Sequence, residues 1–282
     1  MPTVLLLLSL APASALRLAP AKTPAARSVL ARVLRAPAMA SESKPVSAIE
    51  TVTSRPARAV MAAMWLFLIP YVATASPGDF LAESDTLLIQ AAIENTSSLN
   101  PIFFAVFNAL GLLPAVNGAL LLPGAKGQSP LPTAPFVLAS FALGFGAIGP
   151  YLSLRQPRPF PVARSELGLF TRYVTESRLF GLGLVAASLV LSAAFAAGLS
   201  DSSAVREYAE LFATSKLVHV STIDLAVLSV FAFEPIREDM CRRGWWDEAE
   251  ASPEQTAQLL AFSLVPVLGP CAYILLRPAL EE

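Results

Sequence analysis

The sequence is poor in charged residues and rich in apolar ones. In 282 residues, charged side chains make up 15% and hydrophobic ones 55%, and mean hydropathy is +0.59. Soluble domains carry about 25% charged residues, and a chain of this size cannot bury so much apolar surface in water. We therefore predict that lipid solvates part of the protein. The net charge of −1 gives no basic field, so no nucleic-acid partner is indicated.

Histidine and cysteine are also scarce. There is one histidine, His219, and the two cysteines, Cys241 and Cys271, form no CxxC pair. Bis-histidine haem needs two histidines and membrane di-iron sites need more, so no cofactor is identifiable and no metal site is predicted. A cluster of carboxylates at 234, 238 and 239 lacks any histidine, and its arginine neighbours indicate ion pairs at the surface instead.

The N-terminus has the composition of two targeting segments in series. Residues 1–15 predict a signal peptide, because the apolar run 4–10 is too short to span a bilayer and Ala13-Ser14-Ala15 is typical of a cleavage site. Residues 16–54 are basic, rich in Ala, Ser and Pro, and free of acids before Glu42, which predicts a disordered transit peptide. Both segments are left out of the fold prediction.

This order of segments resembles the bipartite presequence of algae with complex plastids. The resemblance implies a plastid membrane, thylakoid or inner envelope, as the location. The alternative is a secretory-pathway membrane, with residues 16–54 as an ordinary pro-segment.

Residues 55–282 predict an all-α, polytopic transmembrane helix bundle of about six spans. Each apolar run is long enough for a tilted helix, and in hydrocarbon the backbone must pair within the segment. The runs are 59–75, 99–122, 134–152, 179–198, 217–233 and 257–276. Pro70 interrupts the first run, so five spans with a re-entrant or interfacial first segment is the alternative. Lys and Arg divide almost evenly between the two sides of a six-span bundle, so the positive-inside rule does not fix the orientation.

The third run contains Gly144, Gly146 and Gly149 in the spacing GxGxxG. A dinucleotide site needs this motif after a strand and at the start of a helix, whereas here it lies inside an apolar run. The glycines therefore indicate close helix packing, with a ligand-lining role as the alternative.

Ionisable groups inside a span need a partner or a purpose, because they cost about 2.5–3.5 kcal/mol on insertion scales. The fifth run holds two of them, His219 and Asp224, and these are the candidate catalytic residues. We expect Asp224 to face the bundle and to pair with an asparagine of the second run. The candidate binding residues are Asn108, Asn117, Ser221 and Thr222. A proton, pigment or substrate contact and a purely structural acid are both open interpretations of Asp224.

Several strings between Asn100 and Pro278 resemble an uncharacterised family of multi-pass plastid membrane proteins of plants and algae with cyanobacterial relatives. They are Asn100-Pro101-Ile-Phe-Phe104, Pro150-Tyr151-Leu152, His219-Val-Ser-Thr-Ile-Asp224 and Pro266-Val-Leu-Gly269-Pro270. The resemblance implies a location but no reaction. The last two runs are also similar to the membrane proteins of the neoxanthin branch of carotenoid synthesis, and that similarity carries over no functional residue.

Three functions follow as hypotheses. The first is a non-enzymatic plastid membrane protein that supports assembly or stability of a photosynthetic pigment–protein complex, with the bilayer, complex subunits or pigments as partners. The second is a carotenoid- or lipid-modifying isomerase with Asp224 and His219 as acid and base. The third is a small-solute or proton-coupled transporter. It ranks last because it predicts inverted repeats between the two halves, and no convincing internal repeat is visible in the sequence.

Overall fold

The computed structural model describes residues 56–94, 96–128, 131–246 and 251–281, and these form helices and connecting turns without a strand. The two predicted targeting segments lie outside the described residues. The helices are α1 (Pro56–Thr74), α2 (Glu83–Glu94), α3 (Pro101–Leu121), α4 (Thr133–Leu143), α5 (Phe145–Leu154), α6 (Arg178–Ser200), α7 (Ser202–Thr214), α8 (Lys216–Phe231), α9 (Phe233–Arg242), α10 (Pro253–Leu264) and α11 (Leu268–Leu276). The all-α fold class is confirmed.

Four helical segments are long and apolar enough to cross a membrane: α1, α3 with the turn after it to Gly124, α6, and α8 continued by α9. Local sequence fixes where several of them begin. The side chain of Asn100 accepts hydrogen bonds from the first free backbone N–H groups of α3, and Ser177 and Ser215 do the same for α6 and α8.

The predicted third span, 134–152, is a helical hairpin instead of one continuous helix. Gly144 separates α4 from α5 with φ 50° and ψ −129°, a conformation that favours glycine. The hydroxyl of Thr133 lies 2.7 Å from that of Tyr151, and Phe136 stacks on the same tyrosine. An unbroken helix would separate residues 133 and 151 by about 27 Å. The chain therefore turns back at Gly144, and both ends of hairpin 1 (α4 and α5) lie together.

The predicted sixth span, 257–276, is a second hairpin, formed by α10 and α11 (hairpin 2). Trp245 links its two ends, because its carbonyl accepts from Gln255 near the start of α10 and its ring stacks on Tyr273 in α11. Val267 takes φ 61° at the turn. A Cβ on Gly269 would lie 2.5 Å from the Phe262 carbonyl oxygen, so glycine permits the close return.

Contacts between the helix ends define two ends of the bundle. At the first, α3, α5, α9 and α11 finish and both hairpins have their ends; at the other, α1 and α6 finish and α3 and α8 begin. The first end carries these described lysines and arginines: Arg58, Lys126, Arg155, Arg158, Arg164, Arg172, Arg178, Arg237, Arg242, Arg243 and Arg277. Only Arg206 and Lys216 of the described ones lie at the other, which carries Asp79, Glu83, Asp85, Glu94, Asp201, Glu207 and Glu210. We call them the basic end and the acidic end.

The acidic end is held by hydrogen bonds that join the start of α8 to the end of α1 and to the surface helix α2. Lys216 donates to the carbonyls of Val72 and Ser76, at the end of α1. Asp85 accepts from Ser215 and from the backbone of Leu217, at the start of α8. These contacts place the N-terminus of α8 beside the C-terminus of α1.

The order of elements repeats along the chain. Each repeat has a long helix that runs from the basic to the acidic end, a short surface helix, a long return segment and a hairpin at the basic end. The first repeat is Pro56–Leu154 and the second, Arg178–Leu276, has the same length. Each hairpin ends in Tyr-x-x-x-Arg: Tyr151 precedes Arg155 and Tyr273 precedes Arg277 by four residues. The structure therefore has an internal repeat that is not evident from hydropathy, and its two copies run in the same direction instead of being inverted as the transporter hypothesis predicts.

The other helices of both repeats pack around α3, which is the most buried of the four long segments. In its most apolar window 61% of the residues are buried, against 17% for both α1 and α6. Aromatic rings from both hairpins complete the core, with Phe145 and Tyr151 from the first and Tyr273 from the second. The outer faces of α1 and α6 are apolar and exposed, which fits contact with lipid.

Gly181 tests the packing of α6 against hairpin 2. A Cβ at this position would lie 2.9 Å from the Cα of Leu275, so we expect Gly181→Ala to lower the free energy of unfolding by about 1–3 kcal/mol through overpacking. Gly183→Ala is the matched control, because no atom lies within 4 Å of its Cβ and alanine favours a helix by about 0.5–1 kcal/mol. Unfolding in mixed detergent micelles measures both. Equal effects of the two substitutions would contradict this packing.

Candidate functional site: the interior acid and the charged cluster of the basic end

Asp224 is bound to the tip of hairpin 1. Its Oδ1 accepts a hydrogen bond of 2.8 Å from the backbone N–H of Phe145, the first residue of α5. The N-terminus of a helix has unpaired N–H groups and a positive dipole end, which favour a carboxylate. Asp224 therefore caps α5 from a different helix. The predicted pairing with Asn108 or Asn117 is wrong, because the tip of hairpin 1 offers a backbone donor at that place.

Gly144 is required for this contact. A Cβ at this position would lie 1.6 Å from Oδ2 of Asp224, so only glycine lets the carboxylate reach the chain reversal. The GxGxxG spacing is thus explained by packing: Gly144 faces Asp224, and a Cβ on Gly149 would lie 2.9 Å from the ring of Trp65.

His219 lies closer to the acidic end and has partners of its own. Its Nδ1 lies 2.9 Å from the carbonyl oxygen of Phe212, and its Nε2 lies 2.6 Å from the hydroxyl of Tyr71. Because a carbonyl only accepts, Nδ1 donates to Phe212, and Nε2 pairs with the hydroxyl of Tyr71. The ring of Phe212 also packs on the imidazole at 4.2 Å. Both ring nitrogens are therefore engaged by groups that join α1 and α7 to α8.

The other candidate binding residues do not gather into one site. Thr222 bonds the hydroxyl of Tyr208 at 2.6 Å, and the amide of Asn108 donates to the Phe104 carbonyl in its own helix. Asn117 and Ser221 are buried in α3 and α8. His219 and Asp224 likewise have separate partners on different helices. The site that the structure builds is narrower than the predicted one: Asp224 with the tip of hairpin 1.

The second feature is a cluster of charges at the basic end. The sequence predicts these charges at the surface, whereas most of them are buried. Asp239 is fully buried and accepts at Oδ1 from Arg242, at 2.6 Å. Its Oδ2 accepts from Arg243 at 2.7 Å, Arg277 at 3.0 Å and Tyr273 at 2.9 Å. The predicted pairing of these acids with neighbouring arginines is confirmed, but the pairs are inside the protein instead of at its surface.

Each hairpin is tied to one of two adjacent carboxylates of α9. Arg155, directly after hairpin 1, forms an ion pair with Glu238. Arg277, directly after hairpin 2, binds Asp239 and also Glu176, the latter at 2.7 Å. Glu238 further accepts from Arg242 and from the backbone of Arg158, both at 2.8 Å.

The same arginines satisfy backbone carbonyls at the end of α3. Arg277 donates to the carbonyl of Ala119 at 2.9 Å, and Arg242 donates to that of Leu120 at 3.2 Å. The last carbonyls of a helix have no partner within it and carry its negative dipole end. Because the acids of α9 all pair with arginine, they offer no free metal ligand, and the described residues hold no group of three or more His, Cys, Asp or Glu side chains that could bind a metal.

In comparisons with known proteins the chain matches no family model, no curated protein and no solved structure. The site is therefore interpreted from its own geometry.

The contact between Gly144 and Asp224 can be measured as a coupling energy. Gly144→Ala introduces both a clash with the carboxylate and a positive φ on a residue with a Cβ. We therefore expect it to lower the free energy of unfolding, measured in mixed detergent micelles, by more than about 2 kcal/mol. Gly146→Ala is the control, because its Cβ would meet only ordinary contacts at 3.7 and 3.9 Å. In the double variant Gly144→Ala/Asp224→Ala the clash is absent, so the loss should be smaller than the sum of the single losses. Additive losses would show that the two residues do not touch.

Asp239→Asn tests the charged cluster. Removing one charge from a buried, paired group leaves the others uncompensated, which costs about 3–5 kcal/mol. Glu166→Gln is the control: Glu166 lies at the surface, where hydrogen bonds from Lys126 and then Arg158 lower the pKa of its carboxyl, and such pairs contribute less than about 1 kcal/mol. Unfolding in detergent compares them, and a similar small loss in both variants would contradict the cluster's structural role.

Proposed function

We propose that the chain crosses the membrane four times and that both hairpins are re-entrant, entering from the basic end. Two observations support this: the four long apolar segments, and the meeting of both ends of each hairpin at one end of the bundle. Backbone groups freed by a helix break at membrane depth need partners within the protein, and at the tip of hairpin 1 Asp224 accepts from the backbone N–H of Phe145. On this topology nearly all described lysines and arginines share one side, which the positive-inside rule identifies as the stromal or cytoplasmic side.

Labelling from one side of the membrane tests whether hairpin 1 is re-entrant or spans the bilayer. The loop at Gly127 and the loop at Ser165 lie on the same side if hairpin 1 is re-entrant and on opposite sides if it spans. We expect single cysteines at these two positions, in a background with Cys241→Ser and Cys271→Ala, to react from the same side with a membrane-impermeant maleimide in oriented vesicles. Reaction from opposite sides would show that hairpin 1 spans the membrane and would contradict the four-span topology.

We propose further that the protein is a proton-coupled carrier for a small solute. The observation that carries this proposal is the pair of interrupted helices at corresponding positions of two repeats. In known carriers such discontinuous helices meet at the substrate site, and their half-helix ends face ions or charged groups. Here the N-terminus of half-helix α5 faces Asp224, an ionisable group within a span, which is by itself a candidate for proton transfer.

The roles of the residues follow from their contacts. Asp224, when ionised, caps α5; when it takes up a proton it loses the charge that the helix dipole favours, so the tip of hairpin 1 is released. The described residues 140–148 at this tip carry no titratable side chain, and His219 in the same helix is bound to Tyr71 and Phe212. The arginine cluster holds the ends of both hairpins at the basic end while their tips move.

Proton flux in proteoliposomes tests the carrier. Vesicles that contain a pH-sensitive dye receive a pH gradient, with and without the small-molecule fraction of a cell extract outside. We expect protein-dependent acidification that Asp224→Asn lowers about tenfold or more, because an amide takes up no proton, and that Glu166→Gln leaves unchanged. Acidification equal to that of empty vesicles under both conditions would refute the proposal.

The second proposal is that the protein supports the assembly of a pigment–protein complex. The exposed apolar faces of α1 and α6 favour it, because subunits or pigments in the bilayer would contact those faces. Co-purification with a photosynthetic complex from plastid membranes tests it, and it also tests the predicted location. The isomerase hypothesis has less support, because His219 and Asp224 engage different helices instead of facing one substrate.

A further inference from the structure

A short helical turn before α6 presents apolar side chains at the basic end. Leu169, Phe170 and Tyr173 are 76%, 56% and 63% exposed. The opposite face of the turn is fixed: Thr171 and Thr175 are buried, and the carbonyl of Thr175 accepts from Arg277 of the charged cluster. The apolar residues therefore point outward because the inner face is held by the bundle.

Positive charge borders this patch. The guanidinium of Arg172 lies 5.6 Å from the centre of the Tyr173 ring, and Arg178 is exposed in the first turn of α6. The nearest acid along the chain, Glu176, is occupied by Arg243 and Arg277. Among the described residues no carboxylate forms an ion pair with Arg172 or Arg178. The surface is thus both apolar and cationic.

The patch is continuous with the outer face of α6. Leu179 and Leu182, in the first and second turns of α6, are 72% and 51% exposed, and α6 is the most apolar of the four long segments. If α6 crosses the bilayer, its first turn lies at the depth of the lipid headgroups. Aromatic side chains concentrate at that depth, and arginines there contact lipid phosphates.

We infer that residues 169–178 form a binding surface for anionic lipid, with Leu169, Phe170 and Tyr173 inserted at the interface and with Arg172 and Arg178 on the headgroup phosphates. Three features indicate that lipid binds this surface: its continuity with the apolar face of α6, its cationic border, and the outward direction of its apolar side chains. Amphipathic segments of this composition bind membranes through buried apolar area together with attraction to anionic lipids. The inference requires α6 to span the bilayer and does not depend on solute transport.

Thermal unfolding in lipid nanodiscs tests the inference with the full chain. We expect a higher unfolding temperature in discs of phosphatidylcholine mixed with phosphatidylglycerol than in discs of phosphatidylcholine alone. The variant Arg172→Gln/Arg178→Gln should lose most of this difference. Arg206→Gln is the matched control, because Arg206 is exposed on α7 at the acidic end, and it should keep the difference.

A second measurement separates lipid from a protein partner and from a loss of folding. We expect the tryptophan of F170W, which replaces an exposed ring and leaves both arginines in place, to be quenched by brominated phosphatidylcholine beyond the quenching of the parent. The inference is overturned if F170W shows no added quenching, as when a protein or water covers the patch. It is also overturned if the double arginine variant keeps the full dependence on phosphatidylglycerol.

Discussion

The arrangement of the bundle depends on two adjacent carboxylates, Glu238 and Asp239, at the end of one long segment. Each binds the arginine that follows one of the hairpins, Arg155 or Arg277. Buried ion pairs gain little net stability over apolar packing, but they are costly to break. Their effect here is therefore positional: they fix where the hairpins dock against α9, and Arg277 and Arg242 also satisfy the carbonyls of Ala119 and Leu120 at the end of α3.

The ends and the tips of the hairpins are held by different kinds of contact. The ends of the hairpins are held by buried charges, whereas the tip of hairpin 1 is held by the hydrogen bond from Phe145 to Asp224, by that from the Trp65 side chain to the Gly146 carbonyl, and by stacking of Phe145 on Phe231. At the tip of hairpin 2, Val267 takes a positive φ. A β-branched residue in that conformation stores strain of about 1–3 kcal/mol.

Hydropathy predicted the all-α fold class but not the direction of the chain within two of the six runs. The runs 134–152 and 257–276 have the length of a span, and one residue, Gly144 or Val267, decides whether the chain continues or turns back. The recurrence of Tyr-x-x-x-Arg at Tyr151 and Tyr273 is the sequence signal that identifies the repeat. The pairing of Asp239 with nearby arginines is evident from spacing, but its burial depends on Arg277 and Tyr273, which are distant in sequence. Asp224 is recognisable as an interior acid, and its backbone partner is not, because that partner exists only once the hairpin has turned.

The distance between the two ends of hairpin 1 tests the folded-back chain most directly. Gln128 and Gln156 flank the hairpin and hydrogen-bond to each other, with 3.1 Å between the Gln128 side-chain oxygen and the Gln156 backbone nitrogen. Spin labels on cysteines at these two positions, measured by pulsed electron resonance in nanodiscs, should give one short distance below about 20 Å. A continuous helix over this segment would separate the labels by about 30 Å or more. A distance in that longer range would contradict the re-entrant hairpin and, with it, the repeat on which the proposed function rests.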